Sequence, residues 1–477
     1  MRGYDAVIGL EVHAQLLTDS KIFCSCRAAS GLPPNTNTCP VCMGMPGTLP
    51  VLNRKVVELG MRLGLATNCS ISRKSVFARK NYFYPDLPKG YQITQHRFPL
   101  CENGYLDIEV NGEARRVRIL RIHMEEDAGK TIHEGRGPSS LVDFNRSGVP
   151  LLEIVSMPDI TGTEEAVAYL RELRQILMYL GICDGNMEEG SFRCDANVSV
   201  RPAGTRVYGV RTELKNMNSF RNIQKALDFE IDRHIGILES GGAVEQETRL
   251  WNAAKGRTES MRSKEESHDY RYFPDPDLVP VEVDDVWISH VRDTLPELPS
   301  RVRQRLVERY GLPAYDAGVL TQTRELAEYF EECAKILDAP KEISNWIMTE
   351  VLRVLSEQGI SIADFGVSPA GLAELIGLVR QGLISGSMAK EVFSEMVSSG
   401  RSAAGIVKEK GISQLSDEQE LRDIARGIIE GNPNEAEKYR AGRTGLLGFF
   451  VGKLMAETEG KANPRLASRI LKELLET

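Results

Sequence analysis

The chain lacks a membrane span. No stretch of its 477 residues approaches the roughly 20 apolar residues that a bilayer-crossing helix needs. It also lacks the apolar core of a signal peptide: Met1-Arg2-Gly3-Tyr4-Asp5 runs straight into a strand-like pattern, so a cytoplasmic protein is expected. A disulfide framework is excluded by cysteine usage. There are nine cysteines, an odd number, and Cys69, Cys101, Cys183, Cys194 and Cys333 stand singly. Positive charge is not in excess either. A net charge of −8 and a pI near 5.6 argue against a uniformly basic surface, though Lys and Arg can still gather locally. There is no internal repeat or low-complexity tract.

The common nucleotide and nucleophile motifs are missing as well. Gly129-Lys130-Thr131 resembles the end of a phosphate loop, but Met124 stands where its first glycine belongs. No G-x-G-x-x-G opens a helix after a strand, and no G-x-S-x-G elbow is present. If ATP binds, a metal ion and basic side chains on a sheet must hold it.

What is present divides into three textures. Residues 1 to about 295 are rich in short alternating segments, Gly and Pro, and predict an α+β domain with antiparallel strands. Leu295-Pro296-Glu297-Leu298-Pro299 reads as a linker. Residues 296–411 predict a helical domain, with three-and-four apolar spacing over 301–310, 323–337, 342–357, 369–381 and 387–398. Residues 412–477 predict a second, small helical unit.

Period-two counting exposes polar faces in the first region. In Leu10-Glu11-Val12-His13-Ala14-Gln15-Leu16, Glu11, His13 and Gln15 share one side of a strand. Arg193, Asp195, Asn197, Ser199 and Arg201 share a face, as do Arg211, Glu213 and Lys215. The acids of His123-Met124-Glu125-Glu126-Asp127 follow another strand-like run, and at least one must face the polar side. Carboxylates hold Mg²⁺, Mg²⁺ holds phosphate oxygens, and Arg or Lys neutralise what remains. A solvated sheet laced with cross-strand ion pairs would have the same pattern, and the residues alone leave both readings open.

Cys24-Ser25-Cys26 and Cys39-Pro40-Val41-Cys42 are two close pairs across a short loop, the spacing that wraps a tetrahedral Zn²⁺. Four thiolates leave no open coordination position, so this zinc is expected to be structural. In Arg79-Lys80-Asn81-Tyr82-Phe83-Tyr84, basic and aromatic residues are mixed in a way that can grip phosphate and stack on unpaired nucleic-acid bases; Lys80 is a candidate phosphate contact, and the aromatic rings are expected to pack as core. Asn463-Pro464 reads as a helix cap and first turn.

Several long stretches resemble the B-subunit family of the glutamyl/aspartyl-tRNA amidotransferases. They include Val7-Ile8-Gly9-Leu10-Glu11-Val12-His13, Arg79–Ile93, His123–Lys130, Leu141–Leu151, Gly190–Asn197, Glu213–Asn216, His268–Pro274 and Gly460–Pro464, and so span nearly the whole chain. The resemblance implies a cradle-shaped α+β domain similar to glutamine synthetase, then a helical domain and a small tail domain that touches tRNA through Arg440, Arg443, Lys461 and Arg465. It implies an ATP- and Mg²⁺-dependent ligase that activates the side-chain carboxylate of Glu-tRNA(Gln) or Asp-tRNA(Asn). Ammonia would come from a glutaminase A subunit in a heterotrimer with a small C subunit. The implied magnesium ligands are Glu11, His13, Glu126 and Asp195, with Glu125 and Glu213 also at the catalytic site and Lys80, Arg193 and Lys215 on phosphate; which of Glu125 and Glu126 points inward to the metal stays open. A non-catalytic tRNA-binding scaffold and a free-standing glutamine-synthetase-like ligase are the rival readings.

Overall fold

A computed structural model describes residues 3–132, 139–261, 269–411, 418–458 and 462–476. His268, Gly460 and Lys461 lie outside the described residues. The chain divides into two compact units, residues 1–298 and 299–477.

The first unit is mixed α/β and built on a twelve-stranded sheet. Its strands are β1 (Tyr4–Gln15), β2 (Ser70–Ile71), β3 (Phe77–Asn81), β4 (Tyr91–Gln95), β5 (Cys101–Val110), β6 (Glu113–Glu126), β7 (Pro150–Ser156), β8 (Phe192–Pro202), β9 (Thr212–Lys215), β10 (Glu247–Asn252), β11 (Arg257–Ser260) and β12 (Phe273–Pro274). They lie in the order β11-β10-β9-β8-β1-β7-β6-β4-β3-β12, with β5 also on β6 and β2 on β5. Only β9–β10 is parallel among these pairs.

Alternation decides what each face does. Val12 pairs with Cys194 on one side and Ile154 on the other, and Ile154 pairs with Ile122, giving an apolar row across four strands. These side chains join one core with α1 (Arg54–Ala66), α2 (Thr163–Tyr179) and α3 (Phe220–Glu239). One residue along, the row is Arg193, His13, Glu153 and His123. A one-residue step crosses the pleat, so this second row lies on the face away from the helices. Gly129-Lys130-Thr131 leads into a short strand, Lys130–Ile132, rather than a helix, so no phosphate loop forms there.

A charged network ties α3 beneath the β8–β11 end. Glu230 is fully buried; its Oε1 faces Arg233 and His234 Nε2 (3.2 Å), and its Oε2 accepts from Thr258 Oγ1 at 2.8 Å. Burial opposes its charge, but hydrogen bonds from His234, Arg233 and Thr258 pull the carboxyl down to about 2. Because that lies below its ordinary value of 4.5, the stability it contributes is complete above that pH and fades as the pH falls towards 2. Glu230→Gln is therefore expected to flatten the loss of thermal midpoint over that acid range; an unchanged slope would show that other carboxylates govern it.

The second unit is helical over its described residues, with helices at Pro299–Tyr310, Arg324–Ile336, Pro340–Trp346 continuing through Ile347–Val351 to Gln358, Pro369–Arg380 and Gly386–Ser399. These follow the expected helical segments within a few residues. Further on, Glu418–Glu430, Leu447–Glu457 and Pro464–Glu476 share a separate core containing Leu421, Phe450, Leu454, Ile470 and Leu471. Asn463 Oδ1 accepts from Arg465 N and Leu466 N at 3.0 and 3.2 Å, the helix cap expected from the sequence. Arg440, Arg443 and Arg465 are all exposed, and Arg440 Nε also donates to Leu475 O at 3.0 Å, so it serves the fold as well.

Candidate active site

The polar face of the sheet carries a compact acid–imidazole cluster. His13 Nε2 lies 3.3 Å from Glu153 Oε2, 3.6 Å from Glu125 Oε1 and 3.9 Å from Glu11 Oε1. His123 Nε2 approaches Glu153 Oε2 at 3.5 Å and Glu125 Oε2 at 3.9 Å. Glu11, His13 and Glu153 each place a ligand atom within 4.8 Å of the others, as do His123, Glu125 and Glu153. Three carboxylates meeting two imidazoles, with Glu125 and Glu153 almost wholly buried, is more than a solvated face requires.

Electrostatics reflect the crowding. Burial and the neighbouring Glu153 raise Glu125 above the carboxylate range, and the same two causes raise Glu11. Burial works against charge on Glu153, yet His123 and His13 hold it well below that range. Burial likewise disfavours the His13 imidazolium, but the hydrogen bond to Glu153 and the charges of Glu125 and Glu153 push it up to about 9. Like charges this close share protons unless a cation stands among them. The carboxylates suit a hard divalent ion such as Mg²⁺, and the imidazoles are the less usual part of such a set.

Of the two adjacent acids, the structure brings Glu125 into this cluster and not Glu126. The sequence leaves open which of the two turns inward, and the pleat of β6 puts Glu126 on the other side of the strand. Glu126 is paired with Lys89 and accepts from Ile93 N at 2.9 Å, beside a cavity of about 70 Å³ also lined by Cys24 and Cys42. Asp195 stands next to Glu11 in register but is paired with Lys215, whose Nζ is 3.2 Å from both Asp195 Oδ2 and Glu213 Oε1. Burial opposes the Lys215 charge, and those two carboxylates outweigh it and raise its pKa. Glu213 also accepts from Thr248 Oγ1 at 2.8 Å. Arg193 is held 3.2 Å from Asp127 Oδ1, and Gln15 donates to the other Asp127 oxygen at 2.8 Å. Arg211 precedes its strand and is exposed.

Glu153 was missed as a site residue, and His123 was noted only as part of an acid-bearing run. Leu151-Leu152-Glu153-Ile154-Val155 reads as a fully buried strand, and its lone carboxylate was the available signal, because a buried charge needs partners. The aromatic segment also departs from expectation. Tyr82 packs at 6.0 Å from Tyr270, but Phe83 and Tyr84 are exposed rather than core. Lys80 Nζ sits 4.8 Å from the Tyr270 ring; burial disfavours its charge, yet Tyr272 and Glu125 raise it to about 12.

The four clustered cysteines converge, with all sulfurs within 4.8 Å of one another. Four thiolates about 2.3 Å from a tetrahedral Zn²⁺ would stand about 3.8 Å apart, so the set fits that ion. Cys42 is buried and accepts from Cys39 N at 3.1 Å and Lys21 Nζ at 3.7 Å. The hydrogen bond with Cys24, and then the Cys39 amide and Lys21, outweigh burial and draw its thiol down to about 4.

Residues 6–289 match the GatB/GatE catalytic domain family, and residues 328–475 match the GatB domain family. The chain belongs to the GatB family. It is 56% identical over 472 residues to the B subunit of the aspartyl/glutamyl-tRNA(Asn/Gln) amidotransferase of Thermodesulfovibrio yellowstonii, covering 99% of both chains. The corresponding protein of Geotalea uraniireducens is 57% identical over 471 residues, at 98% of each chain, and that of Geobacter sulfurreducens 56% over 475, at 99% of each. GatB membership makes this chain the B subunit of a tRNA-dependent amidating ligase, and neither rival reading is favoured. Among the described residues, no helix is long and apolar enough to cross a membrane.

Proposed function

We propose that this chain transfers the γ-phosphate of ATP to the side-chain carboxylate of Glu on tRNA(Gln) or Asp on tRNA(Asn), and that ammonia then displaces the phosphate to leave the amide. The observation that carries this reading is the cluster of Glu11, His13, Glu125, Glu153 and His123 on one sheet face. A free carboxylate is anionic and has no good leaving group, and phosphorylation supplies one. Glu11, His13, Glu125 and Glu153 would hold the magnesium, with His13 giving up its proton to do so. When bound, that ion would neutralise charge on the ATP phosphates. Lys215 and Arg193 are held at this face by acids, so their positive charge is already in place for phosphate. Asp195 sets Lys215 beside Glu11, and Lys80 stands at the aromatic side of the same face. The cysteine set would hold a structural zinc.

In the same reading, residues 1–295 form a cradle similar to glutamine synthetase, 296–411 a helical domain and 412–477 a tail that binds tRNA. A glutaminase A subunit would deliver ammonia, a small C subunit would complete the heterotrimer, and the complex would work in the cytoplasm. ADP release by the assembled complex tests the function: it should require misacylated tRNA. Equal release without tRNA would indicate a small-acid ligase, and none in either case a scaffold. Deleting residues 412–477 should weaken tRNA binding while leaving ATP binding intact; unchanged tRNA affinity would remove the tail from recognition.

A further inference from the structure

Phe83 is the most exposed large apolar side chain among the described residues, at 93%, and its neighbour Tyr84 is exposed as well. Loose backbone does not explain this. Tyr82 N donates to Gly90 O at 3.3 Å, Gly90 N to Leu87 O at 3.1 Å and Leu87 N to Tyr84 O at 3.0 Å, so the turn is bonded at its base and within. Gly129 N donates to Asp86 O at 2.8 Å and Thr131 Oγ1 to Asp86 Oδ2 at 3.3 Å, which pins the tip. The Phe83 ring lies against Gly90, where a Cβ would come within 3.1 Å of ring carbon Cε1. The ring is thus presented by a fastened turn, supported by backbone on one side and otherwise open.

The turn adjoins the aromatic wall around Lys80. Lys80 Nζ is 5.8 Å from the Tyr82 ring and 4.8 Å from that of Tyr270. Tyr270 lies 5.8 Å from Tyr272, which stacks on His96 at 4.1 Å. Lys80 in turn senses the charge of Glu125 in the acid cluster. Phe83 directly follows Tyr82, whose ring lines that lysine, so the turn that carries the open ring is continuous with the wall.

We propose that Phe83 is a stacking platform for the unpaired terminal base of the aminoacyl-tRNA acceptor end. This rests on the function proposed above. The amino acid is esterified to the terminal ribose, so a side-chain carboxylate placed among His13, Glu125 and Glu153 brings the terminal nucleotide to the rim of the cluster. That base has no pairing partner, and an open aromatic face on a turn continuous with a lysine-bearing wall is a surface that single-stranded bases take. The ring would recognise the base by its π-face, which suits an enzyme that must accept different tRNAs.

Steady-state amidation by the assembled enzyme, with Phe83→Ala and Phe83→Trp beside the parent, tests this. Phe83→Ala should raise KM for misacylated tRNA about five-fold or more, the range that loss of one stacked base gives. KM for ATP should stay at the parent value, and Phe83→Trp should keep tRNA binding near the parent value. An unchanged KM for tRNA overturns the proposal. A rise in KM for ATP instead would assign the ring to the nucleotide's adenine, and loss of co-elution with the partner subunits would assign it to a protein interface; either outcome also overturns it. A parent enzyme that releases no ADP with misacylated tRNA would sink the underlying function rather than the platform, so the two failures are separable.

Discussion

Glu11→Ala is expected to reduce tRNA-dependent ADP formation and amidation by the assembled enzyme about 100-fold or more, while metal bound by the cysteines stays at the parent level. Glu11 faces His13 at 3.9 Å and shares a ligand set with Glu153, yet it is half-exposed on the sheet surface. Its loss therefore opens no core cavity and should cost little stability. The deficit should fall on chemistry and metal dependence, with the midpoint of a Mg²⁺ titration moving to higher concentration. Glu125→Gln should produce a loss of similar size. Glu126→Gln should leave the Mg²⁺ midpoint in place, because its carboxylate faces Lys89 and Ile93 N on the other side of the strand. Normal amidation by Glu11→Ala, or an equal Mg²⁺ shift from Glu126→Gln, would contradict the assignment of the cluster.

The cysteine set gives the second large effect. Metal analysis of the parent chain should find one zinc, and Cys42→Ser should lose it. Cys42 is the buried member of the four and the one that Lys21 and the Cys39 amide support. Removing a structural zinc forfeits binding free energy that is also folding free energy, here on the order of several kcal/mol confined to the loop between β1 and α1. Other bonds, such as Asn37 N to Asn145 Oδ1 at 2.8 Å and Asn35 Nδ2 to Val142 O at 3.0 Å, still clasp that loop. The sheet should therefore survive, and limited proteolysis should cut first between about residues 24 and 48. A parent chain purified from zinc-replete medium without zinc would sink this reading.

Much of the site was legible in the sequence. Alternation in a strand is local, so Glu11 with His13, and Arg193 with Asp195, could be placed on common faces from spacing alone. The helical segments after residue 299 were legible for the same reason, because three-and-four spacing is also local. The C-x-C and C-x-x-C pairs announced their convergence through spacing and the loop between them.

Sequence spacing could not show which strands lie side by side, because pairing partners are set by packing between distant segments. His13 sits between Arg193 and Glu153, residues 180 and 140 positions away, and only that neighbourhood turns a lone acid in an apolar strand into part of a cluster. The choice between Glu125 and Glu126 was tertiary too: adjacent residues on a pleat face opposite ways, and the register of β6 against β7 and β4 fixes which way is inward. Exposure of Phe83 was likewise beyond reach, since an aromatic run reads as core until its turn is seen fastened with one ring outward. The sequence by itself determined the residue types, the strand faces and the family. The tertiary structure decided which faces meet, because charge interactions act through a few ångströms of space whatever the separation along the chain.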